Sequence, residues 1–179
     1  MIAGRANVAL IGFMASGKTS VGRALSALTH MPFADVDEQV ERREGRSVAE
    51  IFAERGEPYF RERESEVLEA LCEEEGWILG CGGGTLLDPR NRLRIQARCV
   101  AVWLRASSDE LLRRLESRPE QTRPLLAGRD PRIVVPGLLQ AREGLYGEAA
   151  LTVETEGRTV ASIAEELAIQ LGLPLLGSP

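Results

Sequence analysis

The chain has 179 residues, a length that predicts one domain able to bury a substantial core. Its 27 acidic side chains outnumber its 22 basic ones, which gives a formal net charge of −5, and it has no basic tail or run. Both features argue against a nucleic-acid partner, and no apolar stretch approaches the length needed to cross a bilayer.

Short apolar runs alternate with segments of helical periodicity along the chain. Strands are predicted at residues 7–12, 33–36, 77–81, 99–104 and 150–154. Helices are predicted at residues 17–29, 38–44, 48–55, 59–75, 90–96, 108–117, 133–147 and 159–171. Ser47 and Ser107 are predicted N-caps, the second with Glu110 in a capping box. The alternation predicts an α/β fold with a parallel sheet covered on both faces. Because the sequence has no internal repeat and no low-complexity linker, residues 1–179 are expected to form a single domain.

A glycine-bracketed loop, Gly12 to Thr19, follows the first predicted strand and reads G-x-x-x-x-G-K-[ST]. Lys18, in this loop, is the only lysine, because the other 21 basic residues are arginines. A compact ammonium reaches between the β- and γ-phosphates better than a planar guanidinium does. A strand, a glycine loop and a helix in this order predict a nucleoside triphosphate site, with the Thr19 hydroxyl as a ligand of Mg²⁺.

Asp35 and Asp37 come directly after the second predicted strand. Residues at alternate strand positions point the same way, and the carboxyl ends of parallel strands face the ligand crevice. One carboxylate can hold Mg²⁺ through water, and the other can accept a proton from an attacking hydroxyl. The alternative is a helix cap or a solvated turn.

Two further clusters are candidates for substrate binding. Arg61 and Glu64 are three residues apart and hence share a helix face, so that the glutamate can orient the arginine toward a substrate carboxylate. The alternative is a surface ion pair. Gly82, Gly83 and Gly84 follow an apolar strand and leave room for a close approach to the backbone, unless they form only a flexible turn.

Residues 118–132 contain four arginines, three prolines and one glycine. Proline discourages a continuous helix, and arginine stabilises a phosphoryl group during transfer. We therefore expect a mobile lid over the triphosphate, the alternative being a plain surface loop.

Taken in order, these motifs resemble those of the shikimate kinase family over nearly the whole chain. The matching motifs are Gly12 to Thr19, Asp35-x-Asp37, Phe60-Arg61-x-x-Glu64, Gly82-Gly83-Gly84, Arg123-Pro124-Leu125-Leu126 and Arg142-x-x-x-Tyr146. The resemblance implies a P-loop α/β/α sandwich with a five-stranded parallel sheet, similar to nucleoside monophosphate kinases. It also implies transfer of the γ-phosphate of ATP to the 3-hydroxyl of shikimate, a step toward chorismate and the aromatic amino acids.

The resemblance also implies roles for individual residues. The residues expected to bind ATP are Ala15, Ser16, Gly17, Lys18, Thr19, Ser20 and Arg123, with Arg118 and Arg158 as candidates for flanking the adenine. The residues expected to bind shikimate are Asp37, Arg61, Glu64, Gly82, Gly83, Gly84 and Arg142. Lys18, Asp37 and Arg123 are the expected catalytic residues, and Thr19 and Asp35 are the expected Mg²⁺ site. The expected partners are the substrates shikimate and ATP, and the protein is expected to be a monomer.

Two residues depart from the usual pattern of the family. Ala15 stands where many relatives carry glycine, and a positive φ costs alanine more than glycine. Cys81 precedes the glycines, and we interpret it as strand packing. It is one of three cysteines without metal-ligand spacing, which suits a reducing cytoplasm.

The rival functions are a gluconate or nucleoside monophosphate kinase, and a binding module that senses its ligand without turnover.

Overall fold

The computed structural model describes residues 6–117 and 123–175 of the chain. Within these ranges five strands alternate with seven α-helices. The strands are β1 (Asn7–Ile11), β2 (Phe33–Asp35), β3 (Ile78–Gly80), β4 (Cys99–Arg105) and β5 (Leu151–Glu154). The helices are α1 (Lys18–Thr29), α2 (Val36–Glu44), α3 (Val48–Glu73), α4 (Pro89–Arg98), α5 (Ser108–Glu116), α6 (Pro131–Tyr146) and α7 (Val160–Gln170). Short 3-10 helices lie at Thr85–Leu87 and Pro124–Leu126.

All five strands are parallel, as the sequence pattern predicts, and they lie in the order β2-β3-β1-β4-β5. The first strand is therefore central: Val8 pairs with Ile78 on one side and with Val100 on the other. The carboxyl ends of β1, β2 and β3 meet at one edge of the sheet. The P-loop, the paired aspartates and the three glycines follow these ends, so the topology brings them together.

The two faces of the sheet carry separate apolar cores, and β1 contributes to both. Val8 and Leu10 pack into a cluster with residues of α1 and α7. Ala9 and Ile11 pack into a larger cluster with residues of α2 to α6. Successive side chains of a strand point to opposite faces, so a short, wholly buried strand supports both layers. The expected α/β/α sandwich is confirmed.

The helix boundaries follow local capping chemistry. At Ser47 the structure has a complete capping box with Glu50. At Ser107 the hydroxyl accepts from the backbone N–H of Glu110, but the carboxylate of Glu110 binds Arg113 and Arg114 instead of completing the predicted box. The ion pairs offer this carboxylate stronger, charged donors than a backbone amide.

One long helix replaces two predicted ones. The predicted helices at 48–55 and 59–75 are halves of α3, which is kinked where Gly56 adopts φ 81° and ψ 168°. Pro58 follows the kink, at a position where its lack of an N–H does little harm. The second half of α3, after the kink, carries Arg61 and Glu64.

The predicted lid contains more regular structure than expected. Pro124 begins a 3-10 helix and Pro131 begins α6, so both prolines start helices instead of preventing them. Residues 118–122 lie outside the described residues. None of the helices in the described ranges is long and apolar enough to cross a membrane.

Candidate active site

The side chain of Lys18 is hydrogen-bonded to the backbone of its own glycine loop. Its Nζ donates to the carbonyl oxygens of Gly12 at 3.0 Å and Phe13 at 2.8 Å. Burial lowers the pKa of Lys18 to about 8, against the opposing influence of the Asp35 and Asp37 carboxylates. An anionic phosphate beside Nζ would favour the charged form of the lysine.

Ala15 has a positive φ of 62°, the conformation that costs alanine more than glycine. The left-handed conformation costs an L-residue other than glycine roughly 1–2 kcal/mol. The side chain of Arg114 binds the loop at this point and donates to the carbonyl oxygens of Ala15 at 3.3 Å and Ser16 at 3.2 Å. The hydroxyl of Ser16 is buried without a hydrogen-bond partner among the described residues.

Thr19 and Asp35 form the predicted hydroxyl–carboxylate pair. The Thr19 hydroxyl donates to Asp35 Oδ2 at 2.6 Å, and Asp35 Oδ1 accepts from the backbone N–H groups of Asp37 at 3.1 Å and Glu38 at 3.4 Å. A hydroxyl and a carboxylate oxygen are hard ligands of the kind that Mg²⁺ prefers, so the pair fits that ion. No group of three or more His, Cys, Asp or Glu ligands occurs in the described parts of the chain, here or elsewhere.

Contrary to the prediction from the sequence pattern, Asp35 and Asp37 do not occupy alternate positions of one strand. Asp35 ends β2 and is also the N-cap of α2, so the helix-cap alternative is correct for this residue. Asp37 lies in the first turn of α2, where the strand alternation no longer applies. The two carboxylates nevertheless lie close enough for Asp35 to raise the pKa of Asp37.

Asp37 is the most perturbed carboxyl group of the site. Burial, followed by the charges of Glu64 and Asp35, raises its pKa to about 7, while Lys18 and Arg61 oppose the rise. Its Oδ1 atom is buried and accepts no hydrogen bond from the described residues. A buried carboxylate oxygen that lacks a donor is a ready acceptor for a substrate hydroxyl.

Arg61 lies between two glutamates of its own helix. Its Nε and Nη2 donate to Glu57 Oε1 at 3.1 and 3.0 Å, and its Nη1 donates to Glu64 Oε2 at 2.8 Å. These bonds use three of the five N–H donors of a guanidinium. Glu64 is fully buried and Arg61 is partly exposed, so the predicted support of Arg61 by Glu64 is an ion pair whose acidic partner is shielded from water.

The glycines leave room for the protein's own side chains. A Cβ on Gly82 would collide with the carboxylates of Glu64 and Asp37, and a Cβ on Gly84 would lie 2.5 Å from Arg61 Nη2. The carbonyl oxygen of Gly83 accepts from Arg142 Nη1 at 3.0 Å and from the Tyr146 hydroxyl. The close approach inferred from the sequence is therefore made, in part, by Asp37, Glu64 and Arg61 themselves.

Most of the predicted residues share one cavity of about 940 Å³. The expected ATP-binding residues that line it are Ala15, Ser16, Gly17, Lys18, Thr19, Ser20, Arg123 and Arg158. Asp35, Asp37, Gly82 and Gly83 line it as well. Arg118 lies outside the described residues.

The two arginines among these ATP-binding candidates, Arg123 and Arg158, have different surroundings. The positive charge of Arg123 helps to lower the pKa of Lys18, which places the two cations near each other. Arg158 donates to the carbonyl oxygens of Glu154 and Ser162 and forms an ion pair with Glu166.

The expected carboxylate receptor does not line the large cavity. Arg61, Glu64 and Gly84 line a second, smaller cavity of about 310 Å³, and buried Arg142 lines neither. Hydrogen bonds account for these positions, since Glu57 binds one edge of Arg61 and the carbonyl of Gly83 binds Arg142.

Two residues of this site have no role in the sequence-based interpretation. Tyr146 is buried, donates to the Gly83 carbonyl at 2.6 Å and has its pKa raised to about 12 by burial. Arg114 binds both the P-loop carbonyls and the backbone of Thr155, while its Nε donates to Glu110 at 2.6 Å. A Glu110–Arg114 pair at i,i+4 is indistinguishable in sequence from a surface ion pair.

Comparison with known proteins identifies the family. The shikimate kinase family model matches residues 14–171. The chain is 44% identical to the shikimate kinase of Cereibacter sphaeroides over 157 residues, covering 88% of this chain and 78% of the relative. It is 40% identical to that of Thioalkalivibrio sulfidiphilus over 162 residues, covering 90% and 84% of the two chains.

The solved structures agree with the sequence relatives. The shikimate kinase of Acinetobacter baumannii, solved in complex with shikimate, superimposes with a TM-score of 0.87 at 34% identity, covering 93% of each chain. The resemblance noted from the motifs is thereby confirmed over nearly the full length: this chain belongs to the shikimate kinase family.

Proposed function

We propose that the chain transfers the γ-phosphate of ATP to the 3-hydroxyl of shikimate, giving shikimate 3-phosphate and ADP. One observation carries the assignment of the reacting groups. Lys18 of the P-loop and Asp37 line the same cavity of about 940 Å³, and the Oδ1 atom of Asp37 is buried and accepts no hydrogen bond from the described residues. A phosphate cradle and a hydroxyl acceptor are thus available to two substrates side by side.

The reaction requires the hydroxyl oxygen to form a bond to the γ-phosphorus while the bond from that phosphorus to the β–γ bridging oxygen breaks. The proton of the hydroxyl passes to the Asp37 carboxylate, and ADP leaves. A carboxyl group with a pKa of about 7 suits this role, because a general base works best when its pKa is near the working pH. Lys18 and Arg123 would stabilise the charge of the phosphoryl group during transfer.

Thr19 and Asp35 are the proposed holders of Mg²⁺. The ion would neutralise charge on the phosphate oxygens, as in other P-loop kinases. The support for this site is the 2.6 Å contact between the Thr19 hydroxyl and an Asp35 carboxylate oxygen at the end of the P-loop.

The substrate carboxylate is assigned to Arg61 and Arg142, with Glu64 orienting Arg61. Gly82, Gly83 and Gly84 are proposed to lie against the ring. Both arginines contact this glycine segment, Arg142 through the Gly83 carbonyl and Arg61 beside Gly84. Their convergence on one stretch of backbone is the support for a shared ligand.

The adenine is assigned to the part of the large cavity lined by Arg158, and Arg118, which lies outside the described residues, is a further candidate for flanking it. Arg123 belongs to the proposed lid, residues 118–132, which would close over the triphosphate. We further propose that residues 1–179 act as one P-loop kinase domain.

A shikimate-dependent ADP-release assay, with and without Mg²⁺, tests the function. We expect turnover with shikimate and Mg²⁺, and little with gluconate or nucleoside monophosphates in place of shikimate. Phosphorylation of gluconate but not shikimate would favour the sugar-kinase alternative. ATP binding without turnover on any acid would favour a ligand sensor.

A monomer in the cytoplasm is the proposed working form. ATP is a cytoplasmic cosubstrate, and all three cysteines are free thiols, as is usual in a reducing compartment. Sedimentation equilibrium tests the first point and cell fractionation the second. A dimer at assay concentrations, or a protein found outside the cytoplasm, would contradict them.

A further inference from the structure

The hydroxyl of Thr85 lies directly behind the Arg61–Glu64 ion pair. Thr85 is the first residue after the three glycines, is 1% exposed, and donates from Oγ1 to Glu64 Oε1 at 2.5 Å. The other oxygen of the same carboxylate, Oε2, accepts from Arg61 Nη1 at 2.8 Å. Each oxygen of this buried carboxylate thus has its own donor, one neutral and one charged.

Thr85 is itself held in place by the glycine segment and by α4. Its backbone N–H donates to the Gly82 carbonyl at 3.1 Å, and its carbonyl accepts from Asn91 Nδ2 at 3.2 Å. Asn91 is also buried, and its Nδ2 lies 3.0 Å from Ser65 Oγ on α3. These contacts connect α3, the glycine segment and α4, so the Thr85 hydroxyl is a fixed donor.

The carboxylate that Thr85 binds influences two candidate substrate residues at once. Glu64 pairs with Arg61, and its charge is the second cause, after burial, of the raised pKa of Asp37. Gly82 is the point where the carboxylates of Glu64 and Asp37 approach the same backbone. A rotation of the Glu64 carboxylate would therefore move the partner of Arg61.

We propose that Thr85 is a positioning residue, which holds the Glu64 carboxylate and through it the orientation in which Arg61 meets the carboxylate of shikimate. The inference rests on the proposed function, since it concerns the affinity for that substrate. A buried hydrogen bond to a charged group is among the stronger polar contacts, and its loss leaves one carboxylate oxygen without a donor.

Thr85→Val tests the proposal, because valine has nearly the same shape and no hydroxyl. We expect the KM for shikimate to rise roughly three- to thirtyfold, with kcat within about twofold and the KM for ATP unchanged. Thr85→Ser keeps the hydroxyl and should restore the KM. Thr29→Val is the matched control: it removes a buried hydroxyl that donates to the Leu25 carbonyl, far from Glu64, and should leave all three constants unchanged.

The pairing with Glu64 is tested by a double-mutant cycle. If Thr85 acts through Glu64, then Thr85→Val should change the KM for shikimate less than about twofold in a Glu64→Gln background. Effects that multiply in the double variant would overturn the proposal, as would an unchanged KM in Thr85→Val or a serine variant that fails to restore it.

Two further outcomes are informative. Thr85→Ala, which leaves a smaller side chain, replaces Thr85→Val if valine prevents folding, and if neither variant folds the hydroxyl is structural and the proposal is wrong. Wild-type turnover with shikimate is measured first. Its absence would overturn the proposed function together with this inference, whereas normal wild-type turnover with an unaffected Thr85→Val variant would overturn this inference alone.

Discussion

The raised pKa of Asp37 implies that its charge destabilises the fold. The pKa rises from 3.8 to about 7 on folding, because burial, Glu64 and Asp35 all disfavour the ionised form. The folded state therefore binds the proton more tightly than the unfolded state, and stability falls as the pH rises between these two values. From the two values, the destabilisation is about 1.5 kcal/mol at pH 5 and about 4 kcal/mol at pH 8.

Asp37→Asn removes this charge and keeps the shape of the side chain. We expect turnover to be lost, while the free energy of unfolding increases relative to the wild type by about 2.5 kcal/mol more at pH 8 than at pH 5. Taking the difference between the two pH values cancels any change that does not depend on pH, such as an imperfect hydrogen bond of the amide. In thermal unfolding the corresponding difference in Tm shift is roughly 5–10 °C.

Urea unfolding of both proteins at the two pH values measures the effect. Asp109→Asn is the matched control, because it removes an exposed aspartate in the first turn of α5 and should shift stability by less than about 0.5 kcal/mol at either pH. An Asp37→Asn effect of the same size at pH 5 and pH 8 would refute the reasoning. Near-normal turnover in that variant would refute the role of Asp37 in the reaction.

Four other substitutions test separate parts of the site. Arg61→Gln should raise the KM for shikimate by about tenfold to a hundredfold in initial-rate assays and leave the KM for ATP nearly unchanged; an equal rise in both would contradict a role at the substrate. Lys18→Met should lower kcat by roughly a hundredfold or more, and unchanged kinetics would show that the loop is misinterpreted. Glu64→Gln should lower the pKa of Asp37, read from the carboxyl ¹³C signal in an NMR titration, since the charge of Glu64 raises it; a pKa that stays near 7 would remove Glu64 from the causes. Ala15→Gly should increase the free energy of unfolding by a few tenths to about 1 kcal/mol, because relief of the positive φ outweighs the greater freedom of glycine in the unfolded chain, and a lower stability would show that the loop is unstrained.

The P-loop and the parallel sheet are predictable from sequence because both depend on local patterns. The motif from Gly12 to Thr19 requires a strand before it and a helix after it, and each has a clear apolar periodicity. The strand bounds agree with the structure to within a residue or two. The helix at Pro131 begins earlier than predicted, because a proline that breaks a helix interior is favourable at a helix start.

The contacts between side chains of the site are harder to predict. Asp35 and Asp37 are correctly predicted to lie close together. The strand alternation used for that prediction does not apply, because β2 ends at Asp35 and Asp37 belongs to the next helix. Thr85, Arg114 and Tyr146 belong to common residue types, and what distinguishes them is a partner far along the chain: Glu64, the P-loop carbonyls and the Gly83 carbonyl. Such partners are set by the packing of helices on the sheet, which one sequence does not reveal.

The central place of β1 has a consequence for synthesis on the ribosome. The strand is made first, but its two neighbours are residues 78–80 and 99–105. At ordinary elongation rates the second neighbour emerges roughly 5–20 s later. Until residues 78–80 emerge, Val8, Leu10 and Ile11 have no neighbouring strand, so the nascent chain presents an aggregation-prone segment that chaperones for short apolar peptides can bind. The enzyme's nucleotide cradle therefore cannot form until more than half of the polypeptide has been translated.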